Sequence, residues 1–238
     1  MVYRALAAGR RLLARLPGTC LLCEGPADAW SLCEPCLADL PWNRDACTRC
    51  ALPLPEGLAL CPACAQAPPP QTRAVAALRY EFPVSYLVSR LKYSGRLLHA
   101  PVLGEMLLAA VDAHPGPPPS LLLPVPLHHR RLAERGYNQA LEIARPLARR
   151  LELPLETRLL RRHRPTAVQM TLDREARAGN PVDAFRVDPA RLAALGPGLR
   201  VALVDDVMTT GATLGEMARV LLAAGVAEVE YWVVARTP

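Results

Sequence analysis

Val201-Ala-Leu-Val-Asp-Asp-Val-Met-Thr-Thr-Gly-Ala-Thr-Leu214 is the most specific run in this chain. Its apolar start reads as a buried strand, Arg200 to Val204, closed by two adjacent carboxylates, Asp205 and Asp206. A loop with hydroxyls and one glycine follows, and a helix begins near Thr213 and runs to Ala224. A strand–loop–helix junction of this kind aims backbone N–H groups and the positive end of the helix dipole at an anion. Gly211 permits close backbone approach. The hydroxyls of Thr209, Thr210 and Thr213 add donors for phosphate oxygens, and Asp205 and Asp206 stand where they can accept hydrogen bonds from ribose hydroxyls. Gly225 is expected to cap the helix, because glycine takes the left-handed conformation at little cost.

Upstream of this run, apolar strand-like segments alternate with helical patterns from Thr72 onward, which predicts an α/β domain over 72–238. The expected strands are Ala74 to Tyr80, Ser120 to Val125, Ala184 to Val187, Arg200 to Val204 and Glu228 to Ala235. The expected helices are Val84 to Leu91, Leu97 to Ala113, Tyr137 to Leu151, Leu172 to Ala178 and Thr213 to Ala224. The chain has 238 residues, 51% hydrophobic and 21% charged, a balance that describes a core-forming protein and excludes a disordered one. Of its 25 prolines, a run at Ala67 to Pro70 reads as part of a linker over 67–71.

The formal net charge is +6, and the surplus is concentrated: 12 arginines face 6 acidic residues between His128 and Arg177. A basic excess confined to one stretch suggests an anionic ligand, a polyphosphate or a nucleic acid, against the plainer account of a solvated Arg-rich helix face. Lys92 is the single lysine beside 27 arginines, so compositional bias does not explain it. No segment reaches the roughly 18 apolar residues that a membrane span requires. Arg4, Arg10, Arg11 and Arg15 break any secretory apolar core and fit a short amphipathic helix over 1–17, so a cytoplasmic location is expected.

All eight cysteines lie between Cys20 and Cys64, in four CxxC pairs: Cys20/Cys23, Cys33/Cys36, Cys47/Cys50 and Cys61/Cys64. Two residues between thiols let a tight turn present both sulfurs to one ion, and two such turns supply the four tetrahedral ligands of structural zinc. The unit CxxC-x9-CxxC recurs as CxxC-x10-CxxC, so residues 18–66 read as a double zinc ribbon. Disulfides are disfavoured in the expected compartment, a redox CxxC stands alone beside a βαβ unit, and an iron–sulfur site is open to the same ligands but less suited to the double-hairpin spacing. Sequential pairing of the ligands follows from the repeat; a cross-braced arrangement is the alternative. Four thiolates leave no open position for water, so the two zinc ions are expected to be structural.

The run from Val201 to Leu214 is similar to the motif by which type I phosphoribosyltransferases bind 5-phosphoribosyl-1-pyrophosphate, PRPP. That resemblance implies an α/β fold, a parallel sheet flanked by helices, with Asp205, Asp206, Val207, Met208, Thr209, Thr210, Gly211, Ala212 and Thr213 at the ligand. Leu123-Pro-Val-Pro-Leu-His-His-Arg-Arg131 follows a strand, as the pyrophosphate-contacting loop does in these enzymes. Arg135-Gly-Tyr-Asn-Gln139, Arg164-Pro-Thr166, Gln169, Leu172, Arg177, Asn180, Ala184-Phe185 and Leu91-Lys-Tyr-Ser-Gly95 complete a resemblance to the ComF family from Cys20 onward. Pro181 departs from the family, whose members often carry Val there.

By this resemblance Arg130, Arg131, Arg135 and Lys92 face the pyrophosphate, and Arg161, Arg162, Arg164, Thr166 and Gln169 belong to a flexible loop over the site. The family implies PRPP bound with magnesium and the handling of single-stranded DNA in uptake, natural competence or utilisation, with other DNA-uptake proteins as partners. The alternative is an active phosphoribosyltransferase acting on an unidentified nitrogenous acceptor. Purine phosphoribosyltransferases often carry an acidic residue three positions after the second Asp; here Thr209 stands there. No base-specific hood is legible.

Overall fold

A computed structural model describes residues 18–27, 31–114, 116–163 and 184–238. The chain forms two compact units, Met1–Pro41 and Trp42–Pro238. In the first, strands β1 (Gly18–Thr19) and β2 (Pro26–Ala27) pair antiparallel, and the turn between them carries Cys20 and Cys23. Helix α1 (Glu34–Ala38) starts at Cys33, with proline in its first turn, where a missing N–H forfeits no intrahelical bond.

The second unit opens with the remaining cysteines and a short helix, α2 (Pro62–Gln66). Then follow β3 (Arg73–Arg79), α3 (Val84–Tyr93), α4 (His99–Ala113), β4 (Leu121–Pro124), α5 (His129–Arg135) and α6 (Gln139–Leu151). Strands β5 (Leu160–Arg162) and β6 (Phe185–Val187) form a separate antiparallel pair. The chain closes with α7 (Pro189–Leu195), β7 (Arg200–Met208), α8 (Ala212–Ala223) and β8 (Glu228–Arg236). Four strands make a parallel sheet in the order β3-β8-β7-β4.

Strand periodicity sends alternate residues to opposite faces. Val201 and Leu203 of β7, with Val229, Tyr231 and Val233 of β8, join a core with Leu214, Met217, Ala218 and Leu221 of α8. Helices α4 and α6 pack on the sheet through β3, β8, β4 and β7. Gly104 of α4 lets α6 approach closely, since a Cβ there would lie 2.7 Å from Pro146 Cγ. The outer edge of β3 is closed by the cysteine-bearing segment: Asn43 N–H donates to Ala77 at 3.0 Å, and Ala74 N–H donates to Thr48 at 2.9 Å. Such pairing removes the exposed edge that a parallel sheet otherwise presents.

Two features differ from the expected pattern. Strand β7 runs past Asp205 and Asp206 to Met208, because β8 extends beside it and pairs Asp205 with Val233 and Met208 with Arg236. Helices α5 and α7 and the three-residue strand β5 stand where no regular structure is expected. The expected helices over 1–17 and Leu172 to Ala178 lie outside the described residues. Among the described residues no helix is long and apolar enough to cross a membrane.

Candidate functional site

The cysteines assemble sequentially. Cys20, Cys23, Cys33 and Cys36 form one group and Cys47, Cys50, Cys61 and Cys64 the other, with the sulfurs of each group within 4.8 Å of one another. Cys23 and Cys33 sulfurs are 3.5 Å apart and those of Cys50 and Cys61 3.7 Å. Four Zn–S bonds of about 2.3 Å in a tetrahedron put sulfurs about 3.8 Å apart, whereas a disulfide needs about 2.05 Å. Burial acts to raise the Cys20 thiol, but N–H groups of Cys23, Cys33 and Leu22 outweigh it and hold the group at about 6. Cys47 is held at about 7 in the same way by N–H groups of Cys61, Arg49 and Cys50.

The later thiols go the other way. Cys36 is raised by its hydrogen bond with Cys33 and by burial, and Cys64 by burial and by Cys61 and Cys50. Four thiolates at this spacing repel one another, and a divalent cation is the group that relieves them. The donor sets therefore fit two structural zinc ions.

The carboxyl ends of β4 and β7 hold the second constellation. Asp206 is 2% exposed, and its Oδ1 lies 2.8 Å from Lys92 Nζ at the end of α3. Its Oδ2 is buried and has no hydrogen-bond partner among the described residues. Burial lowers the Lys92 pKa, but Asp206, then Asp205 and Tyr80, raise it further, so the ammonium is kept. Asp205 accepts the Asp206 N–H through Oδ1 at 2.9 Å. Burial and the neighbouring Asp206 together push the Asp205 carboxyl up to about 7, against the opposing pull of Lys92.

Around these groups one cavity is lined by Lys92, Arg131, Gln139, Arg162, Asp205, Asp206 and the turn from Val207 through Thr213, Thr210 excepted. Gly211 is the N-cap of α8 with φ of 78°, a left-handed conformation that favours glycine. Ala212 N–H donates to Thr210 Oγ1 at 3.3 Å, and the other N–H groups of the first helical turn open beside two carboxylates and three cationic side chains. Arg162 also stacks over the Phe185 ring at 5.4 Å.

Within the Arg135-to-Gln139 segment, Gln139 reaches the cavity and Tyr137 and Asn138 tie the surrounding elements together. The Tyr137 hydroxyl donates to the Leu91 carbonyl beside Lys92. Asn138 caps α6 by accepting from Ala140 N–H at 3.0 Å and donates to the Val125 carbonyl at 2.9 Å. Arg135 donates to Gln139 Oε1 and lies over the Tyr93 ring at 5.7 Å, in an adjoining hollow with Lys92 and Arg131. His128 is buried and caps α5 through Nδ1, accepting from Arg130 N–H at 3.4 Å.

Arg130 and Arg161 are exposed and stand off the cavity; Arg161 faces Asp188 at 3.9 Å. Arg164, Thr166 and Gln169 lie outside the described residues. Sequence reasoning missed Gln139 as a lining residue. Its signal was a glutamine at the first position of a helix whose Ala140, Ile143 and Ala144 make the buried face.

Comparison with known proteins matches two domains. Residues 138–238 match the model of the phosphoribosyl transferase domain, and residues 12–65 that of the double zinc ribbon domain. DNA utilization protein YhgH of Escherichia coli K12 is 36% identical over 230 residues, covering 93% of this chain and 98% of its own. Competence protein F of Haemophilus influenzae is 33% identical over 223 residues, covering 92% and 90%. A solved structure of the allosteric regulatory enzyme of purine biosynthesis aligns over 55% of this chain and 24% of its own, at 20% identity and TM-score 0.34.

Proposed function

Because this chain belongs to the ComF family, with DNA utilization protein YhgH and Competence protein F among its relatives, we propose that it binds PRPP with magnesium and handles single-stranded DNA. The observation that carries the PRPP reading is the cavity joining Asp205 and Asp206 to the amide-rich start of α8, ringed by Lys92, Arg131 and Arg162. Phosphate oxygens are met by the N–H groups of Thr209, Gly211 and Thr213 and by the hydroxyls of Thr209 and Thr213, while Thr210, off this cavity, accepts from Ala212 N–H at 3.3 Å. The carboxylates of Asp205 and Asp206, both at the wall of the cavity, are the acceptors for the ribose hydroxyls.

Lys92 Nζ holds Asp206 Oδ1 at 2.8 Å and so fixes the orientation of that side chain at the ligand. Arg131 and Arg162, both lining the cavity, balance the pyrophosphate charge. Magnesium, when present, offsets the rest of that charge. The carboxyl of Asp205, raised by burial beside Asp206, is a donor atom that gains from a nearby cation. On this reading Arg130 and Arg161 act in the wider field of the stretch from His128 to Arg177, and Arg135 positions Gln139 and Tyr93.

The DNA part rests on the printed roles of the relatives and on the basic surplus, with cytoplasmic action on incoming or recycled strands. Binding of this type is sequence-tolerant and falls steeply with salt, because each neutralised phosphate releases counterions. The test is a pair of titrations on the zinc-loaded chain. Calorimetry with PRPP and magnesium should show saturable binding that Asp205→Asn weakens at least tenfold; unchanged affinity would remove the PRPP assignment. Gel shifts with a single-stranded oligonucleotide should show binding at low salt that weakens when Arg161, Arg162 and Arg164 become Ala. Undetectable binding at low salt would end the DNA reading and favour transfer to a small nitrogenous acceptor.

A further inference from the structure

A second, larger cavity of about 1030 Å³ lies within the Trp42–Pro238 unit, between the second cysteine module and the turn into α8. Cys50, Cys61 and Cys64 line it from the module, and Met208 through Gly211 line it from the turn. Open space thus separates these walls where they face each other, and one side chain spans it. Arg236, the last residue of β8, is 9% exposed. Its Nε donates to the Cys50 carbonyl at 3.2 Å and its Nη1 to the Met208 carbonyl at 3.4 Å.

Both ends of this bridge are held by other bonds. Cys50 closes a turn in which Ala51 N–H donates to the Cys47 carbonyl at 2.7 Å, and its sulfur belongs to the second four-thiol group. The Met208 carbonyl also accepts from Thr237 N–H at 3.1 Å. Arg236 Nη1 donates further to the Thr237 carbonyl and, at 3.2 Å, to its hydroxyl. A guanidinium is a planar, permanently charged fork, so it fixes the direction of two acceptors at once.

The Met208 carbonyl shares a peptide plane with the N–H of Thr209. Among the described residues only Phe82–Pro83 is cis, so in this trans peptide the two groups point opposite ways. The carbonyl turns toward Thr237, at the end of β8. The N–H therefore turns to the other flank of β7, where β4 runs and where Val125 and Leu127 line the PRPP cavity. A cation on the carbonyl also polarises the peptide and strengthens its N–H as a donor. Arg236 thus acts on the first phosphate donor of the turn without touching the ligand.

We propose that Arg236 is a positioning residue that couples the second zinc site to the phosphate turn. A filled four-thiolate site sets the Cys50 carbonyl, Arg236 passes that position to the Met208–Thr209 peptide, and PRPP on Thr209 holds the same linkage from the other end. Coupling between two binding sites is reciprocal, so PRPP tightens zinc in the second module and that zinc tightens PRPP. The ligand half of this coupling rests on the PRPP reading; the bridge between module and strand does not. The group Cys20, Cys23, Cys33 and Cys36 belongs to the other compact unit and serves as the internal control.

The experiment follows release of zinc from the full, zinc-loaded chain to a zinc-selective chelating dye, with and without PRPP and excess magnesium. Cys20→Ser identifies the phase that belongs to the second module. PRPP should slow that phase threefold or more and leave the other unchanged. Arg236→Met should speed it threefold without ligand, abolish the PRPP effect, and lower PRPP affinity by calorimetry fivefold or more. Arg236→Lys keeps the charge and loses the fork, so it should behave like Arg236→Met. It also carries the test if the Met variant does not load two zinc ions.

Unchanged zinc release and PRPP affinity in these variants overturn the proposal. An equal response of both zinc phases overturns it as well, since that is general loosening of the chain. Full rescue by Arg236→Lys replaces the bridge with charge alone. A parent chain that does not bind PRPP defeats the PRPP reading, and ligand-free release then judges the bridge by itself: a threefold faster second phase in Arg236→Lys supports it, and an unchanged rate removes it.

Discussion

The Lys92–Asp206 pair offers a sharp test of how the site is built. Asp206→Asn keeps the shape of the side chain and removes its charge, leaving the Lys92 ammonium in a place where its side chain is 20% exposed. Breaking a buried pair from one side costs about 3–5 kcal/mol, and the residual solvent access of Lys92 puts the expected loss near the lower bound, about 3 kcal/mol. With a urea slope of roughly 2–3 kcal/mol/M for a chain of this size, the midpoint should fall by about 1–1.5 M. The double variant Lys92→Met, Asp206→Asn removes the orphaned charge and should return to within about 1 kcal/mol of the parent. In the single variant Lys92 keeps Asp205 nearby but loses its contact partner, so the folded-state preference for the ammonium falls and the deficit should shrink as pH rises toward 10. Urea titrations at two pH values on zinc-loaded protein read all three effects. A single variant within 0.2 M of the parent, or a double variant as weak as the single, would refute the idea that this pair is a coupled, desolvated unit.

Three further outcomes follow from the same geometry. Native mass spectrometry should find two zinc ions per chain, with Cys20→Ser and Cys61→Ser each losing one; iron, or one ion in the parent, would contradict the paired clusters. The raised Asp205 carboxyl, at about 7, keeps a proton in the folded state that the unfolded chain has lost. Its contribution is thus complete below about pH 4 and disappears as pH rises through 7, by at most about 4 kcal/mol. Asp205→Asn should accordingly flatten the fall in urea midpoint between pH 5 and pH 8. Gly211→Val forces a β-branched residue to φ of 78°, which should cost about 1–3 kcal/mol and abolish PRPP binding by calorimetry; retained affinity would show that the loop tolerates another conformation.

What the sequence made legible was whatever is fixed by neighbours in the chain. CxxC turns carry their own ligand geometry, and the paired clusters appear where the repeat puts them. The Val201-to-Leu214 run encodes strand, loop and helix start within fourteen residues. The α5 helix was not visible because its cap is His128, a residue outside the usual Ser, Thr, Asp and Asn set. Strand β5 was hidden because Arg161 and Arg162 read as a basic loop, and its strand partner among the described residues, β6, lies far along the sequence. Lys92 was singled out by composition, yet its pairing with Asp206 spans a separation that no local pattern reports.

The proline run Ala67 to Pro70 shows the same limit from the other side. Composition makes it a linker, while in the fold Ala67, Pro69 and Pro70 form one wall of the larger cavity. Prolines suit that wall physically: they offer apolar surface and have no N–H to leave unsatisfied beside it. The second cysteine module is thereby joined to the sheet in three ways, by the β3 edge, by Arg236 and by this wall. Zinc at Cys47, Cys50, Cys61 and Cys64 then has a consequence beyond local folding. It fixes the Cys50 carbonyl that Arg236 reads, and Arg236 in turn holds the carbonyl of Met208, the last strand residue before the turn into α8.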